Sequence, residues 1–130
     1  MNKKILIVED EKDIRDLYTE ILTEAGFEVG EAGDGETGLK EATSGKYDLV
    51  LLDIMLPKMD GLQILREIKK DSKLASLKVI LLTNLSTDNV IKEGFSLGAD
   101  SYVIKSEMTP DQVINEVNKA FAPAGSGIRV

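Results

Sequence analysis

The chain has 130 residues, of which 42% are hydrophobic, so it is long and apolar enough to fold as one ordinary domain around a core. Its 23 acidic residues outnumber 16 basic ones and give a net charge of -7, which disfavours direct binding to nucleic acid or to an anionic membrane. It contains no Cys and no His, which excludes disulfides, thiolate zinc sites and serine–histidine catalysis, so acid–base or metal chemistry must depend mainly on carboxylates.

Short apolar runs alternate with amphipathic stretches from the start of the chain. Residues 5–8 predict a first strand, and apolar residues at helical spacing over residues 14–25 predict a helix that stops at Gly26. Residues 27–29 begin a weaker second strand, and residues 34–44 predict a second helix. The same alternation continues with a third strand at residues 49–52, a third helix along Leu62, Leu65 and Ile68, a fourth strand at residues 77–83 and a short fourth helix that ends near Gly94 or Gly98.

The last predicted pair is a strand at residues 101–104 and a helix with a clear start. Thr109 is its capping residue, Pro110 occupies the first helical position and Gln112 the third, which is the pattern of a capping box. We therefore expect a single domain over residues 1–122. Residues 123–130 contain Pro, Gly and Ser without periodicity and predict a flexible tail.

Five strands that alternate with five helices are typical of an α/β fold with a doubly wound parallel sheet. The continuous apolar runs of the first, third and fourth strands suit strands that are buried on both faces. No stretch approaches the roughly 20 apolar residues of a membrane span, and the first apolar run is too short for a secretory signal. These features predict a soluble protein of the cytoplasm.

Polar side chains follow four of the predicted strands at the point where each strand ends. They are Glu9 and Asp10 after the first strand, Asp53 after the third, Thr83 at the end of the fourth and Lys105 after the fifth. Ligands bind beyond the carboxyl ends of the strands in open α/β sheets, so we expect these groups to lie close together. Each residue alone has an ordinary explanation as a cap, turn or surface residue, and only their joint placement indicates a site.

Three carboxylates at one sheet edge need compensating positive charge. Like charges about 4 Å apart repel by roughly 4 kcal/mol at an effective dielectric constant of 20. A hard cation that takes oxygen ligands, such as Mg²⁺, would supply that charge together with Lys105. A metal, a hydroxyl and an ammonium are the groups that stabilise a transferring phosphoryl group. Without Cys or His, the predicted nucleophile is the Asp53 carboxylate, which would form an aspartyl phosphate.

Four sequence motifs, "ILIVEDE", "DLVLLDIMLPKMDG", "VILLT" and "GADSYVIK", occur in this order along the chain. With them, residues 4–121 resemble the receiver domain of bacterial two-component response regulators. The resemblance implies a flavodoxin-like (βα)5 fold whose five-stranded parallel sheet has the order 2-1-3-4-5, an order known for receiver proteins.

The resemblance also implies a role for each matched residue. Asp53 would be the phosphoacceptor, and Mg²⁺ would be held by Glu9, Asp10, Asp53 and the backbone carbonyl of Met55. The phosphoryl oxygens would be bound by Thr83 and Lys105. Tyr102 would be the switch aromatic, which turns inward when Thr83 moves toward the phosphoryl group. Such a domain is not an enzyme toward other molecules, because it catalyses only its own phosphorylation and slow dephosphorylation.

The implied partners are proteins. A sensor histidine kinase or a histidine phosphotransfer protein would donate the phosphoryl group. A downstream protein target would bind the face formed by the fourth helix, fifth strand and fifth helix, without direct contact to nucleic acid or membrane. A stand-alone receiver and a fragment of a longer protein both remain open, as do the oligomeric state, the cognate kinase and the pathway.

The chain departs from the receiver pattern at three positions. Ser106 stands where receivers usually have Pro, Asn84 stands where a small residue is common, and the first acid of the pair is Glu9 rather than the commoner Asp, a substitution that also occurs in functional receivers. The first two departures support an alternative, a receiver-fold protein-interaction module that phosphorylation does not switch. Met55 and Leu85 near the site are apolar and offer no group to orient water, which predicts a long-lived phosphoryl form.

Three other classes fit the sequence less well. A haloacid-dehalogenase phosphatase needs a second Asp where Met55 stands, and an FMN-binding flavodoxin needs a phosphate-cradling loop where three consecutive acids follow the first strand. The Gly-rich Lys-Ser/Thr motif of nucleotide hydrolases is absent.

Overall fold

The computed structural model describes residues 2–84, 88–105 and 109–122, in which strands and helices alternate. The strands are β1 (Lys4–Val8), β2 (Glu28–Ala32), β3 (Leu49–Asp53), β4 (Lys78–Thr83) and β5 (Ser101–Ile104). The helices are α1 (Lys12–Glu24), α2 (Gly35–Ala42), α3 (Gly61–Lys70), α4 (Asp88–Ser96) and α5 (Pro110–Phe121), with a short 3₁₀ helix at Ser72–Leu74.

The five strands form one parallel sheet in the order β2-β1-β3-β4-β5, which confirms the predicted doubly wound fold and strand order. Val8 pairs with Leu52 across β1 and β3, and Thr83 pairs with Ile104 across β4 and β5. This register brings the carboxyl ends of the four strands β1, β3, β4 and β5 to one edge of the sheet.

Alternate residues of the central strands supply two separate apolar layers. Leu6, Val50 and Leu81 belong to the layer beneath α2 and α3, whereas Ile5, Leu51 and Ile80 belong to the layer beneath α1 and α5. These side chains are at most 1% exposed. Burying one such side chain contributes about 1.5–3 kcal/mol, so both faces of the sheet need a helical cover. This two-sided burial explains the continuous apolar runs in the sequence.

The structure specifies the ends of two elements that the sequence leaves partly open. Asp53 is the last residue of β3, one residue beyond the predicted apolar run at residues 49–52. Of the two predicted ends of α4, the one near Gly98 is confirmed, because the helix continues through Gly94 to Ser96. A Cβ atom at Gly94 would lie 2.3 Å from Leu81 Cδ1, so this glycine allows the helix to lie close to β4 rather than ending it.

The predicted start of the last helix is confirmed. Thr109 Oγ1 accepts a hydrogen bond from Gln112 N (3.2 Å), and Gln112 Oε1 accepts one from Thr109 N (2.8 Å). Among the described residues, no helix has both the length and the apolar character needed to cross a membrane. The predicted tail at residues 123–130 lies outside the described part of the chain, so its flexibility and the domain boundary at residue 122 stay predictions.

Candidate functional site

Asp53 occupies the end of β3 with only 4% of its surface exposed. Its Oδ1 accepts a hydrogen bond from Met55 N (3.1 Å), and its Oδ2 accepts one from Lys105 Nζ (3.0 Å). One carboxylate oxygen is therefore held by the loop that follows β3, and the other by the residue that follows β5. The group is fixed in place while it remains at the edge of the sheet where the strands end.

Lys105 joins Asp53 to the first acid of the pair after β1. Its Nζ also donates to Glu9 Oε1 (2.5 Å), and the side chains of Lys105 and Glu9 are 5% and 0% exposed. The second Glu9 oxygen, Oε2, accepts from Glu11 N (3.0 Å). A buried charge requires pairing and hydrogen bonding, and this arrangement supplies both for Glu9.

The proton affinities of Asp53 and Lys105 reflect this environment. Burial, together with the negative charge of Glu9, raises the pKa of Asp53 to about 6 even though Lys105 and Met55 N favour its ionised form. Burial opposes the charged form of Lys105, but the hydrogen bonds to Glu9 and Asp53 and the negative charges of these two acids together outweigh it and raise the lysine pKa. One ammonium group thus compensates only part of the negative charge at this edge.

The remaining negative charge fits a cation site. Carboxylate oxygens of Glu9, Asp10 and Asp53 all lie within 4.8 Å of one another. Asp10 is exposed, so the cluster is open to water on that side. Oxygen ligands from a few carboxylates, completed by water, are the set that Mg²⁺ commonly takes in proteins. These three residues could therefore hold Mg²⁺.

The other predicted site residues lie around this cluster. Thr83 is buried at the end of β4, and its backbone carbonyl accepts from Lys105 N (2.8 Å). Met55 is 70% exposed beside Asp53. Tyr102 is half-buried on β5, where it makes an edge-to-face contact with Phe95 of α4, with ring centroids 5.9 Å apart and an interplanar angle of 81°.

The structure thus brings Glu9, Asp10, Asp53 and Lys105 together, with Thr83 next to them, and places the Tyr102 ring against α4. Asn84 is exposed at the end of β4. Two other residues singled out in the sequence lie outside the described residues: Ser106, which departs from the receiver pattern, and Leu85, the second apolar residue near the site.

Gly61 contributes to the site in a way that the sequence reasoning missed. The pair Asp60-Gly61 predicts a turn and a helix start, and Asp60 does cap α3 by accepting from Gln63 N (2.9 Å). However, a Cβ atom at Gly61 would lie 2.2 Å from the backbone oxygen of Asp53. The absence of a side chain therefore allows α3 to begin directly against the residue at the centre of the cluster.

Arg15 was also missed, because a lone arginine in a predicted helix carries no signal of its own. Its Nη1 donates to the backbone carbonyl of Glu9 (2.7 Å), so it contacts the acidic turn directly.

Comparison with known proteins supports a single family. The family model for the response regulator receiver domain matches residues 5–118. The transcriptional regulatory protein CusR of Escherichia coli (strain K12) is 45% identical over 102 residues, which cover 78% of this chain and 44% of CusR. The chain spans less than half of the length of curated relatives such as CusR.

Solved structures show the same likeness in three dimensions. The chemotaxis response regulator CheY4 of Vibrio cholerae has a TM-score of 0.85 and 25% identity, with 92% of this chain and 99% of CheY4 covered. The BeF3-activated receiver domain of DrrB has a TM-score of 0.80 and 35% identity, with 92% and 97% covered.

Proposed function

The chain belongs to the response regulator receiver domains of two-component systems, and on that premise we propose that it is a switch in which Asp53 accepts a phosphoryl group. The observation that carries this proposal is the position of the Asp53 carboxylate. It lies 3.0 Å from Lys105 Nζ and within 4.8 Å of oxygens from two further acids. A nucleophile is thus placed between a fixed cation and a group of oxygens suited to a second cation.

In the proposed step, a carboxylate oxygen of Asp53 attacks the phosphorus atom of a phosphohistidine. The new O–P bond gives an acyl phosphate, and the P–N bond breaks with its electron pair going to the imidazole, which then takes a proton from solvent. Lys105 would bind a phosphoryl oxygen, as would the hydroxyl of Thr83. Mg²⁺, held by Glu9, Asp10, Asp53 and the backbone carbonyl of Met55, would neutralise charge on the transferring group.

Lys105 would have to exchange partners as the phosphoryl group arrives. It now pairs with Glu9 and Asp53, and both of these acids would face Mg²⁺ in the loaded site. In the metal-free site, the lysine charge compensates the charges of these two acids. With Mg²⁺ bound, the lysine charge would become available to the phosphoryl oxygens. The protein would catalyse no reaction beyond its own phosphorylation and its slow dephosphorylation.

The partners that we propose are a histidine kinase or histidine phosphotransfer protein as donor and a downstream protein as target. The sequence-based expectation of no direct nucleic-acid contact finds no support, because CusR and similar relatives are named transcriptional regulatory proteins and are more than twice as long as the matched region. A DNA-bound role for a longer protein that contains this domain is therefore compatible with the family. We propose the cytoplasm as its location.

The proposed output face is α4-β5-α5. Phe95 is 45% exposed on α4 and packs edge-on against Tyr102 of β5, so the position of one ring affects the exposure of the other. Inward rotation of Tyr102, coupled to movement of Thr83 toward the phosphoryl group, would break this contact. The apolar surface that Phe95 offers to a partner would change as a result.

The test is intact-mass measurement after incubation with a small phosphoryl donor such as acetyl phosphate, with Mg²⁺ or with chelator. We expect one phosphoryl adduct that requires Mg²⁺, is absent in Asp53→Asn and persists in Asp60→Asn. Asp60 is a matched control because it is an exposed aspartate whose capping role an amide can fill. No adduct, under conditions that label another receiver domain, would favour the unswitched protein-interaction module.

The same preparation tests the predicted lifetime. After removal of the donor, slow loss of the adduct is expected because Met55, exposed beside Asp53, has no side-chain group that orients an attacking water molecule. Rapid spontaneous loss would contradict this expectation without affecting the assignment of Asp53.

A further inference from the structure

The backbone of Glu9 is fixed on both sides. Its N–H donates to the carbonyl of Ala32 at the end of β2 (3.0 Å), and its own carbonyl accepts from Arg15 Nη1 (2.7 Å). That carbonyl belongs to the peptide that joins Glu9 to Asp10. Arg15 therefore fixes the peptide plane from which the Asp10 side chain extends.

Arg15 is itself held in position. Its Nε donates to Glu31 Oε1 (3.3 Å), and the other oxygen of that carboxylate, Oε2, accepts from Thr19 Oγ1 (2.9 Å). The Arg15 side chain is only 18% exposed. A guanidinium group presents several N–H donors in a rigid plane, so one arginine can hold a carbonyl and a carboxylate at the same time. The result is a continuous link from β2 through α1 to the acidic turn.

Asp10 depends on that link more than Glu9 or Asp53 does. The Glu9 and Asp53 carboxylates are buried and hydrogen-bonded to Lys105. Asp10 is exposed, and within the described ranges its carboxylate accepts no hydrogen bond. Its position is therefore determined by the backbone of the turn, which Arg15 holds.

We propose that Arg15 is a positioning residue for the cation site: it fixes the Glu9–Asp10 peptide so that the Asp10 carboxylate stays within reach of a cation shared with Glu9 and Asp53. This inference rests on the proposed Mg²⁺-dependent function and adds to it a residue outside the ligand set. Groups that hold metal ligands in position without contacting the metal affect metal affinity strongly, and their loss weakens metal binding by about 10–100-fold.

Electrostatics and positioning predict opposite results when Arg15 is replaced. Removing a positive charge near three carboxylates should strengthen cation binding, because it leaves the site more negative. Losing the hydrogen bond to the Glu9 carbonyl should weaken cation binding, because Asp10 is no longer held in place. The sign of the change therefore distinguishes the two effects.

The experiment is calorimetric titration of Mg²⁺ into the wild type, Arg15→Met and Lys12→Met. Lys12 is a matched control because it lies in the same helix, its replacement removes the same charge, and its ion-pair partner among the described residues is Asp16 rather than a residue of the acidic turn. We expect the dissociation constant of Arg15→Met to rise about tenfold and that of Lys12→Met to stay equal or fall. Unchanged or tighter binding by Arg15→Met would overturn the inference.

Stability is measured in parallel by metal-free thermal unfolding, so that a weakened fold is not mistaken for a weakened site. If Arg15→Met does not fold, Arg15→Lys is used instead, because lysine keeps the positive charge but lacks the planar guanidinium group. The Arg15→Lys variant should bind Mg²⁺ more weakly than the wild type does. Equal affinity of the two proteins would overturn the inference. A wild type that binds no Mg²⁺ would overturn the metal part of the proposed function as well, whereas normal wild-type binding with unchanged variants would remove this inference alone.

Discussion

Asp53 is a buried carboxyl group whose ionised form is disfavoured by burial and by Glu9 and favoured by Lys105. The balance leaves its pKa at about 6, above the ordinary value of about 4 for an aspartate in an unfolded chain. Between these two values the folded state binds more protons at this group than the unfolded state does. This carboxyl group therefore makes the free energy of unfolding decrease as the pH rises through that window.

We expect Asp53→Asn to be more stable than the wild type at neutral pH without metal, because an amide carries no charge that must be buried. The advantage should shrink as the pH falls toward about 4, where the wild-type carboxyl group is also neutral in the folded protein. Urea unfolding in chelator at about pH 4.5 and pH 7.5 measures both differences. The control is Asp60→Asn, and a stability difference for Asp53→Asn that is equal at both pH values would contradict the prediction.

Lys58 adopts a backbone conformation that favours glycine, with φ of 71°. The left-handed region costs a residue with a side chain about 1–2 kcal/mol. Its Nζ lies 3.6 Å from Glu36 Oε1 and 4.0 Å from Asp34 Oδ2, but the lysine side chain is 58% exposed, so these contacts add little.

Lys58→Gly should therefore raise the free energy of unfolding by about 0.5–1 kcal/mol, after the greater freedom of glycine in the unfolded chain is subtracted. Lys58→Ala is the matched control, because it loses the same ion contacts and keeps the backbone strain. Urea unfolding of both variants and the wild type measures these differences in the free energy of unfolding. A glycine variant no more stable than the alanine variant would show that strain at this position is negligible.

Some residue contacts at the site could be predicted from the sequence and others could not. The meeting of Asp53 and Lys105 follows from a general rule, because parallel strands end at the same edge of a sheet. The contact between Lys105 and Glu9 joins residues 96 positions apart and depends on side-chain rotamers and burial. The Arg15 contact with the Glu9 carbonyl likewise depends on where α1 lies relative to the turn, which no spacing pattern specifies.

At the scale of whole elements, α3 starts closer to the site than its sequence indicates. Its first residue, Gly61, donates its N–H to the carbonyl of Ile54 (2.8 Å) and has space for no Cβ next to the Asp53 backbone. The start of α3 thus supports the loop that carries Met55, whose N–H holds Asp53. The helix and the candidate nucleophile are positioned together.

Gly61→Ala should force this loop and the start of α3 apart, because the obstructing atom belongs to the backbone and cannot rotate away. We expect a loss of about 1–3 kcal/mol in the free energy of unfolding, together with slower labelling of Asp53 by a small phosphoryl donor. Gly30→Ala is the control, since its Cβ would meet the Tyr47 side chain at 2.0 Å and no residue of the cluster, so it perturbs packing without touching the site. Labelling of Gly61→Ala that is as fast as labelling of Gly30→Ala would contradict a positioning role for Gly61.

Element types could be predicted from the sequence more reliably than element ends. The alternation of apolar runs and amphipathic stretches identifies each strand and helix, because burial on two faces and on one face produces different patterns. The end of α4 could be predicted only as one of two glycines, Gly94 or Gly98, because a glycine within a helix reads as a stop unless the neighbouring strand is known. At Gly94 the neighbour is Leu81, which only the folded sheet places there.

For the molecule as a whole, the sheet separates two apolar layers that share no side chain in the described part of the chain. Ile7 lies in the layer under α1 and α5, whereas Ile68 lies in the layer under α2 and α3, and both are fully buried. Removing one buried methylene from isoleucine costs about 0.5–1.5 kcal/mol. Mutations far apart that share no contacts usually have additive effects to within about 0.5 kcal/mol.

The double variant Ile7→Val/Ile68→Val should therefore lose the sum of the two single losses in free energy of unfolding, as measured by urea unfolding of all four proteins. The matched comparison is Ile64→Val/Ile68→Val, in which both residues lie on α3 and in the same layer. Here the surrounding side chains can relax around both neighbouring cavities at once. The loss in free energy of unfolding of this double variant should therefore differ from the sum of the two single losses by more than about 0.5 kcal/mol. Strong coupling between Ile7 and Ile68 would instead mean that the sheet transmits packing changes from one layer to the other, and that a change at the site edge could reach both helical covers through the core.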